Sequence, residues 1–313
     1  MAYDVIIIGA GPAGLSAGLY AARAKMKTLI LEREKVGGQI TGTHEVANYP
    51  GAVEGITGPE LTDRMAEQCK AFGAEIVKDT VTDLMLEGDL KKITTLEGVY
   101  ETKSVILAMG ASPRKLGVEK EDLFTGRGVS YCATCDADFF TGLEVVVVGG
   151  GDTALEEAIF LTKFAKRVRV IHRRDQFRAA KSIIEKAEAN EKIEFILDAG
   201  VKEIIGDALV EGVVVENFKT KETFEVRADE ADGFMGLFIF VGYLPDTALV
   251  TEKVACNDSG YIMTDTFMRT DIPGVFAAGD IREKSLRQVV TATADGAIAA
   301  VQAEKYLDEN EAH

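Results

Sequence analysis

Short, mainly apolar runs alternate along this chain with stretches in which apolar residues recur every three or four positions. Tyr3–Ile8, 27–31, 104–108, 144–148, Arg167–Ile171 and 236–241 are of the first kind and rich in Val and Ile. Runs of that composition suit strands buried on both faces, as in a parallel sheet. Residues 15–24, 59–72 and 182–190 carry the helical period, and on 59–72 it places Leu61, Met65, Cys69 and Phe72 on one face. Cys69 therefore reads as a small packed hydrophobe. Further strands are expected at Glu75–Lys78, 81–86, Lys91–Thr95, 193–197, 210–217, Thr223–Arg227 and 260–264. A last helix is expected from 287 to 306, ahead of a fraying polar tail at 309–313. Strands alternating with helices predict an α/β fold, and 313 residues suggest two domains.

The loops after two of these strands are rich in glycine. Tyr3–Ile8 runs into Gly9-Ala10-Gly11-Pro12-Ala13-Gly14 and then a helix. In a dinucleotide loop, the first glycine makes the tight turn and the second lets the backbone approach a pyrophosphate. The third lets helix and strand pack closely. Glu32, just past strand 27–31, is placed to bind both hydroxyls of an adenosine ribose. The pattern returns 140 residues later as Gly149-Gly150-Gly151-Asp152-Thr153-Ala154 after strand 144–148, and the same offset carries Glu32 onto His172. Two loops matched in register predict two dinucleotide sites. The second site ends in His172-Arg173-Arg174 with Arg178 beyond, a cationic group suited to a 2′-phosphate, so it should prefer NADPH to NADH. Gly149, Gly151, Asp152, Thr153 and Ala154 complete it.

Between the loops stands Cys132-Ala133-Thr134-Cys135-Asp136. Two cysteines at this spacing can close a disulfide, the start of a helix favours thiolate, and Asp136 could move protons. Half a zinc site or a structural disulfide are the alternatives. Zinc would need two more ligands at short spacing, yet Cys69 and Cys256 stand alone and the only histidines are His44, His172 and His313. A redox dithiol is the better reading, with no metal. Gly37-Gly38-Gln39, residues 47–51 and His44 lie in a loop-rich segment that could carry ligand contacts. Gly110 ends a strand, and Gly279-Asp280 ends another where a bulky cofactor could be met. The formal net charge of −16 argues against nonspecific nucleic-acid or anionic-membrane binding. No apolar stretch has the length of a signal or membrane segment, and sparse cysteines fit a reducing, cytoplasmic setting.

Taken together, GAGPAG at 9–14, GGQ at 37–39, CATCD at 132–136, GGGDTA at 149–154, HRRDQFR at 172–178 and PGVFAAGD–RQV between 273 and 289 resemble the low-molecular-weight bacterial thioredoxin reductases. The resemblance covers nearly the whole chain. It implies two Rossmann-like domains, an FAD domain of 1–113 and 246–313 with an NADPH domain of 114–245 inserted into it. It implies hydride transfer from NADPH to FAD, then reduction of the Cys132–Cys135 disulfide, then of oxidised thioredoxin. By position, Cys135 would face the flavin, Cys132 would attack the partner and Asp136 would be the acid/base. The FAD positions would be Gly9, Gly11, Pro12, Ala13, Gly14, Glu32, Gly38, Gln39, Asn48, Gly110, Gly279, Asp280, Arg287, Gln288 and Val289. Arg127 and Phe139 would meet thioredoxin, and the enzyme would be a homodimer. Ala137, Asp152, His44 and Ala47 depart from the commonest family residues. Relatives that take electrons from ferredoxin lack the NADPH motifs this chain keeps. A small-molecule dithiol oxidase is a further alternative, and a non-enzymatic nucleotide sensor would leave CATCD unexplained.

Overall fold

The computed structural model describes residues 2–42, 46 and 48–311. The chain divides into two compact units, Met1–Ser112 with Leu244–His313, and Pro113–Tyr243.

The first unit is built on a seven-stranded sheet. Glu75–Lys78, Thr28–Glu32, Tyr3–Ile8 and Val99–Leu107 lie side by side in parallel. Lys91–Thr95 and Val81–Met85 continue the sheet antiparallel, and Val275–Ala277 returns from the far end of the sequence to pair with Val99–Leu107. Val5, Ile6, Ile7, Ile30, Val105 and Ile106 are wholly buried, which is why their strands are apolar without alternation. Pro12–Arg23 and the long helix Val289–Glu311 pack together through small residues. A Cβ added at Gly296 would lie 2.1 Å from the Ala13 carbonyl oxygen, and Ser16 Oγ donates to Thr293 O at 2.7 Å. Helix Gly58–Ala71 starts in a reciprocal cap between Thr57 and Glu60 and buries Leu61 and Cys69.

The second unit carries a five-stranded parallel sheet in the order Ile193–Ile196, Arg167–Ile171, Glu144–Gly149, Gly236–Phe240, Val129–Ser130. An antiparallel sheet of Ala199–Ile205, Gly212–Asn217 and Thr223–Arg227 stands beside it in sequence. The 140-residue repeat holds in register: Ile8 pairs with Leu31, and Val148 with Ile171.

Four expectations need correction. Residues 260–264 form no strand; Ile262 makes only isolated bridges, to Cys256 and Arg282. Ala199–Ile205, which the apolar pattern does not reveal, is a strand with a register shift between Val201 and Glu203 that breaks its alternation. Phe72 is not on the buried helix face but exposed, with the Arg23 guanidinium 5.3 Å from its ring centre. The last helix continues through 309–311 instead of ending at 306. His44, Ala47 and His313 lie outside the described residues.

Candidate active site

In the first unit the loop glycines divide their work by geometry. Gly9 has φ +103°, and a Cβ there would lie 2.5 Å from the Ala108 carbonyl oxygen. A Cβ at Gly14 would lie 1.8 Å from the Gly9 carbonyl oxygen, so helix and strand touch backbone to backbone. At Gly11 a Cβ would meet nothing nearer than Gly37 O at 4.0 Å, which leaves that backbone open. Gly37 N donates to Ala10 O at 2.8 Å and brings Gly38 over the loop, while Gln39 Nε2 donates to Ala111 O, one residue past Gly110. The Glu32 carboxylate accepts from Ala10 N (2.7 Å) and Glu34 N (3.0 Å), so it already caps the loop while keeping lone pairs for hydroxyls.

The distant flavin-type positions converge on this loop. Asn48 Nδ2 donates to Gln288 Oε1 at 3.1 Å, across 240 residues. Gly279, at φ +80°, would bring a Cβ within 2.8 Å of Ala13 Cβ, so only glycine lets this turn sit against Pro12–Arg23. Asp280 Oδ1 and Arg287 Nε are buried without a hydrogen-bond partner. Burial pushes the Asp280 carboxyl up, with Lys284 and Arg287 pulling it back. Unpaired buried donors and acceptors are costly to leave so, and this pair is what a polar cofactor would satisfy. The residues fit FAD on that ground. Asp295, absent from the sequence reading, holds the turn: it accepts from Gly279 N (3.1 Å) and Lys284 Nζ (2.7 Å).

In the second unit, Cys132 and Cys135 are disulfide-bonded, with Cα atoms 5.3 Å apart, on the short helix Ala133–Asp136. Both are half-buried. Burial raises the Asp136 carboxyl above the usual carboxylate range, and Ser130 opposes this by donating to Oδ2 at 2.6 Å. Ser130 Oγ also accepts from Cys132 N at 3.1 Å, so one hydroxyl links the acid to the first cysteine. No sequence pattern marked Ser130. Removing its donor takes away a stabiliser of the carboxylate, so the proton is held to higher pH. Ser130→Ala should therefore shift the limb of the pH–rate profile that reports Asp136 upward in pH, and Asp136→Asn should abolish that limb. An unmoved limb in both would remove Asp136 from proton transfer.

Behind the disulfide, the loop at 149–154 is braced by the segment after Arg167–Ile171. Arg178 N donates to Gly150 O at 2.8 Å, and Ala180 N to Asp152 Oδ1 at 2.6 Å. A Cβ at Gly150 would lie 2.1 Å from His172 Nδ1, whereas at Gly151 it would meet nothing within 4 Å. His172 is buried, its ring 5.2 Å from that of Phe177, with Nε2 3.1 Å from Gln176 O. Burial first, then Arg173, Arg174 and Arg178, depress its pKa, so it is a neutral packing group over the loop. That placement corrects the expectation that His172 adds charge to a phosphate clamp. Arg173, Arg174 and Arg178 are exposed, and among the described residues none pairs with a carboxylate within ion-pair distance. Their free charge, beside an open Gly151, fits NADPH. Arg127 is exposed, and Phe139 is turned outward while Phe140 packs edge-on against Phe238 at 5.3 Å.

Cys69 is fully buried, its thiol donating to Leu15 O at 2.9 Å, and burial raises its pKa to about 11. It takes no part in the site. Among the described residues, no group of three His, Cys, Asp or Glu could hold a metal ion, and no helix is long and apolar enough to cross a membrane.

Two dinucleotide-type units, one inserted into the other and carrying a disulfide between cysteines three positions apart, define a nucleotide-dependent disulfide oxidoreductase. Residues 3–296 match the model of the pyridine nucleotide-disulphide oxidoreductases. The chain is 58% identical to a thioredoxin reductase of Peptoclostridium acidaminophilum over 98% of both chains, and 59% identical to that of Peptoclostridium litorale, again over 98% of both. The crystal structure of the thioredoxin reductase from Streptococcus pyogenes matches with a TM-score of 0.88 at 47% identity, covering 98% of each chain. The chain belongs to the pyridine nucleotide-disulphide oxidoreductase family, among the low-molecular-weight thioredoxin reductases, flavoenzymes that use FAD and NADPH.

Proposed function

We propose that this chain reduces a thioredoxin with electrons from NADPH, with Cys132 and Cys135 as the relay. The observation that carries the reading is the disulfide in the same unit as an open glycine loop faced by three unpaired arginines. Bound FAD supplies the hydride acceptor that converts a two-electron nucleotide donor into a disulfide reductant. Gly11, Gly38, Asn48, Gly279, Asp280, Arg287, Gln288 and Val289 hold it, and Glu32 serves its adenosine ribose. Arg173, Arg174 and Arg178 would hold the 2′-phosphate of NADPH, and the 149–154 loop would take its pyrophosphate.

Two electrons originating from NADPH break the Cys132–Cys135 bond, and with one proton given by Asp136 they leave Cys132 as thiolate and Cys135 as thiol. The Cys132 thiolate attacks one sulfur of the thioredoxin disulfide, forming a mixed disulfide and expelling one thioredoxin thiolate. Cys135 then returns its proton to Asp136 and, as thiolate, attacks Cys132 Sγ, which restores the internal disulfide and releases the second thioredoxin thiolate. Arg127 and the exposed Phe139 supply a cation and an aromatic face for docking. The working form is a homodimer, and the two free thiols, one buried and one half-buried, suit a reducing, cytoplasmic setting.

The test is an anaerobic titration of the purified yellow protein with NADPH, followed by flavin absorbance. Bleaching at low NADPH is expected. A flavin that dithionite reduces and NADPH does not would point to ferredoxin or a small dithiol. In the same assay, Arg173→Ala/Arg174→Ala should raise the KM for NADPH about 10- to 100-fold, as for loss of charge-assisted phosphate contacts worth ~1.5–3 kcal/mol. The KM for NADH should move less than about threefold. Equal losses for both nucleotides would show that these arginines do not read the 2′-phosphate.

A further inference from the structure

Tyr131, the residue before Cys132, is tied to both segments through which the inserted unit joins the rest of the chain, to one through Glu121 and to the other directly. Its hydroxyl donates to Glu121 Oε1 at 2.7 Å. Its carbonyl accepts from the hydroxyl of Tyr243, on the second crossing, at 3.1 Å. Glu121 reaches the first crossing, accepting from the backbone N–H of Leu116 at 2.9 Å and of Gly117 at 2.8 Å. The crossings also meet directly, Arg114 N donating to Gly242 O at 2.9 Å.

Glu121 is only 3% exposed, and among the described residues no cation lies within ion-pairing distance of it. Its three donors are therefore what make a buried carboxylate tolerable. Burial first, and the Glu121 hydrogen bond next, push the Tyr131 hydroxyl above the ordinary tyrosine range, so it stays a donor wherever thiols react. These part-buried hydrogen bonds, gathered on one buried carboxylate, hold their members in place.

We propose that Glu121, Tyr131 and Tyr243 are positioning residues that hold the backbone entering Cys132 in a set place relative to the two crossing segments. The inference rests on the reading of Cys132–Cys135 as the relay to thioredoxin. Thiol–disulfide exchange needs the attacking, central and leaving sulfurs in line. A displacement of about 1 Å in a reacting group can slow a reaction by up to about a hundredfold without weakening encounter. Loosening this network should therefore lower turnover and leave affinity unchanged.

Holoenzymes carrying Tyr243→Phe, Tyr131→Phe or Glu121→Gln would be compared with the unsubstituted enzyme. The readouts are FAD content, NADPH-driven flavin bleaching, and kcat and KM with thioredoxin. The tyrosine variants should keep their FAD and bleach normally, with kcat lowered about 5- to 20-fold and KM for thioredoxin within about twofold. Should Glu121→Gln fail to fold, the two tyrosine variants, which leave the buried carboxylate in place, carry the test. A kcat within twofold of the unsubstituted enzyme in both, or a loss confined to KM, would overturn the assignment. An unsubstituted enzyme that bleaches with NADPH yet never turns over thioredoxin would instead overturn the relay reading and this inference with it.

Discussion

Replacing Cys135 by serine should give a yellow protein that still bleaches with NADPH and no longer reduces thioredoxin. The Cys132–Cys135 bond is the acceptor between flavin and partner, and a hydroxyl can neither form that bond nor resolve a mixed disulfide. The loss should be at least about a thousandfold, or ~4 kcal/mol of transition-state stabilisation. Flavin content should be unchanged, since the FAD-fitting residues lie in the other unit, and NADPH should still bleach the flavin, with about one equivalent less needed because the disulfide no longer takes up two electrons. Cys132→Ser should lose thioredoxin turnover to the same degree. Stopped-flow flavin reduction and a coupled thioredoxin assay separate the two half-reactions. Surviving turnover in either variant would take the disulfide out of the electron path.

Gly14→Ala should yield protein largely without FAD. Its Cβ would fall 1.8 Å from the Gly9 carbonyl oxygen, with the rest of that carbonyl group against it at 2.9 Å, and no flexible side chain is there to yield. The helix Pro12–Arg23 must then move away from the strand Tyr3–Ile8, a repacking that costs about 1–3 kcal/mol and pulls apart the turn facing the cofactor. A ratio of flavin to protein absorbance below about a tenth of normal is expected, with a lowered Tm. Gly11→Ala is the contrast. Its Cβ enters open space, so Tm should hold while FAD affinity drops, because that space is where a pyrophosphate approaches the backbone. Equal FAD content in Gly14→Ala and the unsubstituted protein would mean that the loop tolerates a wider turn than its backbone contacts allow.

Two details show how one repeat came to serve two nucleotides. The side chain ending the second strand reaches the same loop position in each unit: the Glu32 carboxylate accepts from Ala10 N, and the His172 ring packs on Gly150. Ala10 can keep its methyl because a carboxylate approaches from the amide side, whereas Gly150 cannot carry one beneath an imidazole. The GGG of the second loop, read from sequence as phosphate chemistry, is in part a packing requirement.

Much of the fold was legible because buried strands must be mainly apolar and dinucleotide loops need glycine where Cβ atoms would collide. These constraints act on neighbours in the chain, so Tyr3–Ile8, Arg167–Ile171, both glycine loops and the CATC pair could be read residue by residue. The misses share the opposite property. Ala199–Ile205 hides its alternation behind a register shift that depends on its partner strand. Phe72 is the C-cap of its helix, just past the last helical residue, where the helical period no longer fixes which way a side chain points, and it is exposed. By itself the sequence determined the α/β class, the two nucleotide loops, the redox cysteines and the cations beyond the second loop, all local demands of backbone and charge. Only the tertiary structure decided that Asn48 meets Gln288, that Ser130 serves Asp136, that His172 is a packing group, and that Glu121 and Tyr243 converge on Tyr131. Each is a contact between residues whose separation in sequence follows no period, so only the folded chain brings them together.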